Sequence, residues 1–232
     1  PGLYNILIGS FEILAILVLI SVIIFWIRRN ILKIKRFLKD EMRGWPKLDA
    51  DLILYFEIIL MSLFLTMNGA DYTIQLNYPE NDIYVRAGSF PVSQFLVPIF
   101  QDFSLNHLML IERISWWLHI LGIFIFLNYL YYSKHLHILL AFPNTYFANL
   151  ESKGKFKNIN SITSEVKLML DENNSYEDKN VSEIDTFGAS DVTELSWIQL
   201  LNAYSCTECG RCTSECPANL SGKKLSPRKI MM

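Results

Sequence analysis

Cysteine is absent from almost the whole chain. All four cysteines lie between Cys206 and Cys216, so no disulfide can staple any other part of it. Intracellular disulfides are rare, and four thiols packed this closely suit a metal centre better than a set of bridges. Charge is also scarce: 19% of residues are Asp, Glu, Lys or Arg, against 51% hydrophobic. That is too apolar for an average soluble domain and too charged for a chain wholly embedded in lipid. The net charge of −2, with its signs segregated along the sequence, excludes nucleic acid as a partner. There is no evident nucleophile paired with a base, no nucleotide-binding loop and no internal repeat.

What is present first is long apolar runs. Residues 6–27 are long enough to cross a bilayer core of about 30 Å. Eight Lys and Arg follow between Arg28 and Lys47, against only Asp40 and Glu41. A secretory signal carries its charges before the apolar region, so this pattern predicts a spanning helix entering a cytoplasmic loop. A second run covers about 52–69. The stretch 70–104 is then poor in basic residues, with Arg86 alone, as an external loop should be. Within it, FPVSQFLVPIF is broken by Pro91 and Pro98, which predicts a short interfacial or re-entrant segment. The third run, about 106–132, has Trp116 and Trp117 towards one end and Tyr129, Tyr131 and Tyr132 towards the other, as membrane interfaces favour. Three spans place the N-terminus outside and residues 133–232 in the cytoplasm.

Residues 144–190 read as a polar connector, with one short amphipathic helix expected over 161–170. A further helix is expected from Asp191, which has capping-box spacing to Glu194, and it delivers the chain to the cysteines.

Cys206, Cys209, Cys212 and Cys216, followed by Pro217, have the spacing C-x2-C-x2-C-x3-C-P. This is the bacterial ferredoxin run. Thiolates two residues apart on a tight turn can reach separate iron corners of one cubane, and Gly210 lets the backbone curl around it. In two-cluster domains the fourth Cys ligates the other cluster. A structural zinc site would instead prefer two Cys pairs separated by a longer loop.

The histidines are 107, 119, 135 and 137. His119 lies inside the third run. His137 is eighteen residues on, five whole turns if the helix continues, or roughly 27 Å along its axis. One imidazole near each side of a bilayer would suit two stacked b-type haems; packing or interfacial roles are the alternative. His107 and His135 read as interfacial. Neither other apolar run contains a His to serve as an opposing ligand. Glu12 and Glu57, inside the first two runs, are candidates for proton or quinone chemistry, or for hydrogen bonding within the bundle.

The stretches FWIRRN, ILYFEI, WWLHI, YYSKHLHILLAFPNTYF, FGASD and AYSCTECGRCTSECPAN resemble the membrane-bound (Fe–S) oxidoreductases related to heterodisulfide reductase, whose N-terminal half is similar to the nitrate reductase gamma subunit. The resemblance spans essentially the whole chain and is most specific at 133–147 and 204–219. It implies a cytochrome b-like bundle that binds haem b and exchanges electrons with quinone. It also implies a cytoplasmic domain with two [4Fe–4S] clusters, followed by cysteine-rich modules. By the same resemblance, Cys206, Cys209, Cys212 and Cys216 match the first cluster run, and His119 and His137 match the two haem-ligand positions on the last membrane helix. The second cysteine run, the cysteine-rich modules and the helix carrying opposing haem ligands have no counterpart in this sequence, which suggests a fragment shortened at both ends.

The expectation is therefore an all-α chain: a membrane domain over 1–143, a linker over 144–190, and the start of a ferredoxin-type domain over 191–232. It would sit in the bacterial inner membrane with its iron–sulfur domain in the cytoplasm. Its partners would be the lipid bilayer, quinone and a cytoplasmic redox protein. The expected role is as part of a quinone-linked, heterodisulfide reductase-like oxidoreductase. The competing expectation is a non-catalytic membrane anchor with a structural cysteine metal site.

Overall fold

A computed structural model describes residues 2–80, 83–152 and 191–232, together with 155, 163, 166, 167, 169 and 170. Among these residues every regular element is helical. The chain divides into two compact units, one formed by the residues up to Leu136 with Cys206–Met232, the other by His137–Ser205.

The first unit is built on three long helices: α1 (Gly2–Asn30), α2 (Trp45–Asn77) and α4 (Leu105–Leu130). At 29, 33 and 26 residues each exceeds the roughly 20 that a bilayer core requires, and each is apolar enough to cross one. Their large apolar side chains point outwards: Leu14, Ile59 and Phe124 are 56%, 55% and 58% exposed. Such a surface suits lipid, not water.

Helices α1 and α4 both pack along α2, through small and polar residues. A Cβ at Gly122 would come within 2.7 Å of the Leu60 side-chain tip, so Gly122 leaves room for Leu60 where α4 meets α2. Helices α1 and α2 run past the apolar stretches that mark them in sequence. At one end, Asn30 and Arg29 of α1 bond to Asp51 of α2, at 3.2 and 3.3 Å, so their polar ends satisfy each other.

The segment between α2 and α4, expected to be interfacial or re-entrant, packs against α2. Among its described residues the regular parts are a 3-10 turn at Ser93–Leu96 and the one-turn helix α3 (Val97–Phe100). Leu96 and Phe100 close on Gly69, where a Cβ would stand 3.1–3.2 Å from them. Ser93 Oγ donates to the Leu65 carbonyl at 3.2 Å. Ile74, Tyr84, Phe100 and Leu108 form the buried cluster beneath it.

Helix α4 stops at Leu130, then a turn and a 3-10 segment at Lys134–Leu136 precede α5 (His137–Tyr146). The cause is Asp49, 1% exposed. Its carboxylate takes the Tyr129 hydroxyl and, at 3.1 Å, the Lys134 backbone N–H. In a continuing helix that N–H would bond to Leu130. The unbroken helix needed to put His119 and His137 on one face five turns apart is therefore not formed.

In the second unit, α5 packs against α6 (Trp197–Tyr204), with Phe147 edge-on to Trp197 at 4.7 Å between ring centroids. The capping box of Asp191 and Glu194 forms, but it caps only the 3-10 turn Val192–Glu194. The helix itself begins six residues later, behind a second box in which Ser196 and Gln199 cap each other's backbone amides. Of the helix expected over 161–170, the five described residues are helical. The rest of the expected linker from 153 on, apart from Lys155, lies outside the described residues.

Candidate metal centre

The cysteine loop belongs to the first unit. Two left-handed residues curl it: Glu208 at φ +49 and Gly210 at φ +71. The Glu208 N–H points back at Cys206 Sγ, at 3.4 Å. Three short helices follow: α7 (Arg211–Ser214), α8 (Pro217–Leu220) and α9 (Pro227–Met231). Cys216 sits at the start of α8, with Pro217 in its first turn, where a proline's missing N–H costs nothing.

All four thiols are free; Cys212 is exposed and the other three are half-buried. Burial pushes the Cys206 thiol up. The Glu208 amide opposes this, while the charges of Glu208, Cys212 and Cys209 add to it. Loading a metal must therefore displace a proton from it. Among the described residues, no three His, Cys, Asp or Glu converge on a point that one ion could occupy. The donor set, its spacing, the left-handed turn and an amide directed at a sulfur fit a [4Fe–4S] cluster.

Beneath the loop lies the α1–α2 connection, residues 31–44, with its 3-10 turns Lys35–Leu38 and Asp40–Met42. A Cβ at Gly210 would stand 3.3 Å from the Arg36 carbonyl and 3.4 Å from the sulfur of Met42, which is fully buried. Lys39 Nζ donates to the Thr213 carbonyl at 3.2 Å and to Asn219. The Glu41 carboxylate accepts from Ser226, and its carbonyl accepts from Arg228.

Glu208 is buried between two cations: Arg228 at 2.8 Å and Lys134 at 3.4 Å. Lys134 also donates to the Pro46 carbonyl at 2.6 Å. Burial pulls the Lys134 ammonium below its usual value, and the Glu208 charge works against that. None of these five charged residues was singled out as a site in the sequence, where the basic loop carried only a topological message. Their partners lie between 20 and 187 positions away, and no local pattern announces them.

The histidines are dispersed. His119 Nδ1 lies 3.0 Å from the Leu60 carbonyl and its ring meets Phe64 at 5.9 Å. His137 opens α5 in the other unit and is half-buried. His107 bonds to Ser104 at 2.9 Å, and the His135 ring lies edge-on to Phe126. Glu12 is fully buried and accepts from Asn68 Nδ2 and from the Val92 and Ser93 amides, at 3.0, 2.9 and 3.1 Å. These bonds tie α1 to α2 and to the segment between α2 and α4. Glu57 lies half-buried in α2.

Taken with this geometry, the comparisons show a chain that carries a 4Fe-4S-type cysteine run and is similar to iron–sulfur-binding oxidoreductases, and its three apolar helices suggest membrane association. Residues 167–221 match the 4Fe-4S dicluster domain. The chain is 32% identical over 221 residues, 95% of its length, to a probable iron-sulfur-binding oxidoreductase, FadF, of Bacillus subtilis. It is 25% identical over 218 residues, 94% of its length, to an EtfAB:quinone oxidoreductase of Syntrophomonas wolfei. It spans 27% of the length of each of these relatives. A probable membrane-anchored ferredoxin of Chromohalobacter salexigens matches 44 residues at 39% identity, 19% of this chain and 7% of that protein. No solved structure matches.

Proposed function

We propose that this chain is the membrane and first-cluster portion of a quinone-linked iron–sulfur oxidoreductase of the heterodisulfide reductase-like kind, with nitrate reductase gamma-like helices, in the bacterial cytoplasmic membrane. It passes electrons between a cytoplasmic redox protein and haem b or quinone. The observation that carries this is the ferredoxin-type cysteine run docked beside three bilayer-length helices. The name of the Syntrophomonas relative pairs EtfAB with a quinone, which makes that donor and acceptor the first pair to test here.

Cys206, Cys209 and Cys212 hold a [4Fe–4S] cluster, which supplies one-electron chemistry, and Cys216 belongs to a second cluster. The Glu208 amide would donate to the Cys206 sulfur, one of the levers that set a cluster's potential. Iron and acid-labile sulfide analysis with EPR after reduction, on a form that includes the second cysteine run, tests this. Two [4Fe–4S] signals are expected. Stoichiometric zinc without labile sulfide would leave only an anchor with a structural cysteine site.

The cytoplasmic side carries residues 28–50 and 133–232. Support comes from the ion pairs that bring the α1–α2 loop, Lys134 and the cysteine loop to the same end of the helices. Single-Cys labelling with an impermeant reagent in intact cells should reach position 82 and not position 40; the opposite result reverses the topology.

His119 and His137 are axial ligands of haem b, and His107 and His135 are not. For His119, an Nδ1–H donated to the Leu60 carbonyl leaves Nε2 for iron, as ligating histidines are commonly oriented. For His137 the support is its place in the family resemblance. In the full-length protein, where a helix outside this chain would supply the opposing ligands, each of His119→Ala and His137→Ala should remove roughly half the b-type redox difference spectrum, because the axial ligand acts directly on iron; this chain alone should bind haem poorly or not at all. A full spectrum in both would make these histidines packing residues.

A further inference from the structure

Glu208 lies inside the ligand run, between Cys206 and Cys209, yet its carboxylate is buried and held by Arg228 and Lys134. A non-glycine residue at φ +49 is held there only when its surroundings over-determine it. Those surroundings come from far along the chain: Lys134 follows α4, and Glu41, which binds Arg228 and Ser226, lies in the α1–α2 loop. On the opposite flank Lys39 grips the Thr213 carbonyl and Asn219. The loop is thus held at Glu208 and Thr213, within the cysteine run, and at Asn219, Ser226 and Arg228, beyond it.

We propose that the α1–α2 loop and Lys134 form a seat for the cysteine loop, and that Glu208 is the positioning residue that latches it there. This rests on the cluster reading above. The seat has two consequences. It holds the cluster loop against the helices instead of leaving it at the end of a tether. It also brings Lys39, Lys134 and Arg228 close to a group that is anionic with its thiolates and gains further negative charge on reduction. These cations favour the reduced state and raise the potential, since charge and solvent exposure are what tune such clusters.

The test uses the full-length protein in lipid and begins with iron and labile sulfide on the wild type. Amide exchange is then followed in residues 34–43 and 206–215, with and without metal. In Glu208→Gln both stretches should exchange at least about tenfold faster, as one cooperative unit, with iron retained. Lys134→Met should shift the cluster midpoint to more negative potential in an EPR-monitored titration, and Lys134→Arg should restore it. Ser226→Ala, which removes the Glu41 contact together with the bonds of Ser226 to Thr213 and to the Lys229 amide, serves where Glu208→Gln does not accumulate, and should speed exchange in both stretches. Faster exchange confined to 206–215, or a midpoint unmoved by Lys134→Met, overturns the seat. A wild type without iron or sulfide overturns the cluster reading alone, because the coupled exchange is read in the unloaded protein as well.

Discussion

Two buried carboxylates divide the molecule between them. Glu12 and Glu208 are 0% and 7% exposed, and each ties together segments far apart in sequence. Glu12 does so with neutral donors alone: one side-chain amide and two backbone N–H groups. Glu208 uses two formal cations. Where the surroundings are apolar, each further desolvated charge carries a large penalty, so neutral dipoles arranged around one carboxylate are the economical solution. Near the cysteines the surface is polar, and charges can be paired at lower cost. The segment between α2 and α4 is therefore held by polarity, and the cysteine loop by charge.

Replacing each carboxylate should separate these modes. Glu208→Ala removes the anion from between Arg228 and Lys134, which keep only carbonyl contacts to Glu41 and Pro46 among the bonds described above, and should cost about 3–5 kcal/mol, read by denaturant unfolding in micelles; restoring most of that loss by adding Arg228→Met would confirm that the penalty is uncompensated charge. Glu12→Ala orphans neutral donors and should cost about 2–4 kcal/mol, with no gain from a second substitution of a cation. A loss below 1 kcal/mol at Glu12 would mean that water reaches its donors.

The glycines that shape the two regions extend the comparison. Gly210→Ala places a methyl 3.3 Å from the Arg36 carbonyl at φ +71, so about 1–3 kcal/mol should be lost, together with cluster content. Gly88→Ala, at φ +96 and 2.8 Å from Phe90, should lose a similar amount, about 1–3 kcal/mol, and leave cluster content unchanged. Equal loss of iron in both variants would erase the distinction between the regions.

The smallest effect lies in the second unit. The Thr193 amide and hydroxyl hold the Asp191 carboxyl below its usual value of 3.8. Because the folded value is depressed, the cap's contribution is complete above the ordinary carboxyl range and fades as pH falls through the lower, folded value. A carbon-13 titration of labelled Asp should show a midpoint below 3.8; a midpoint at or above it would mean that the cap does not form.

The long helices were legible because a bilayer-length apolar run is a local signal, and their ends were not, because polar residues such as Asp51 and Asn30 extend the helices by satisfying one another. The cysteine run was legible for the same local reason. Ser196 and Gln199 carried a capping signal as clear as that of Asp191 and Glu194, and only the upstream one was read, which placed the helix start too early. The continuous helix from His119 to His137 failed on a distant residue: Asp49 lies 85 positions from Lys134, whose N–H it captures. The seat was invisible for the same reason, since no window of sequence shows Glu41 and Ser226, 185 positions apart, to be neighbours.

That separation has a consequence for biosynthesis. The α1–α2 loop leaves the ribosome long before the residues that rest on it. At about 5–20 residues per second, a gap of this size corresponds to roughly 10–40 s. During that interval α2 and α4 must be made and placed before Lys134 is in position. The cysteine loop, made after them, then closes over a scaffold whose parts have already been delivered. Iron insertion would accordingly be a late event, and a defect in helix placement would be detected as a failure of metallation.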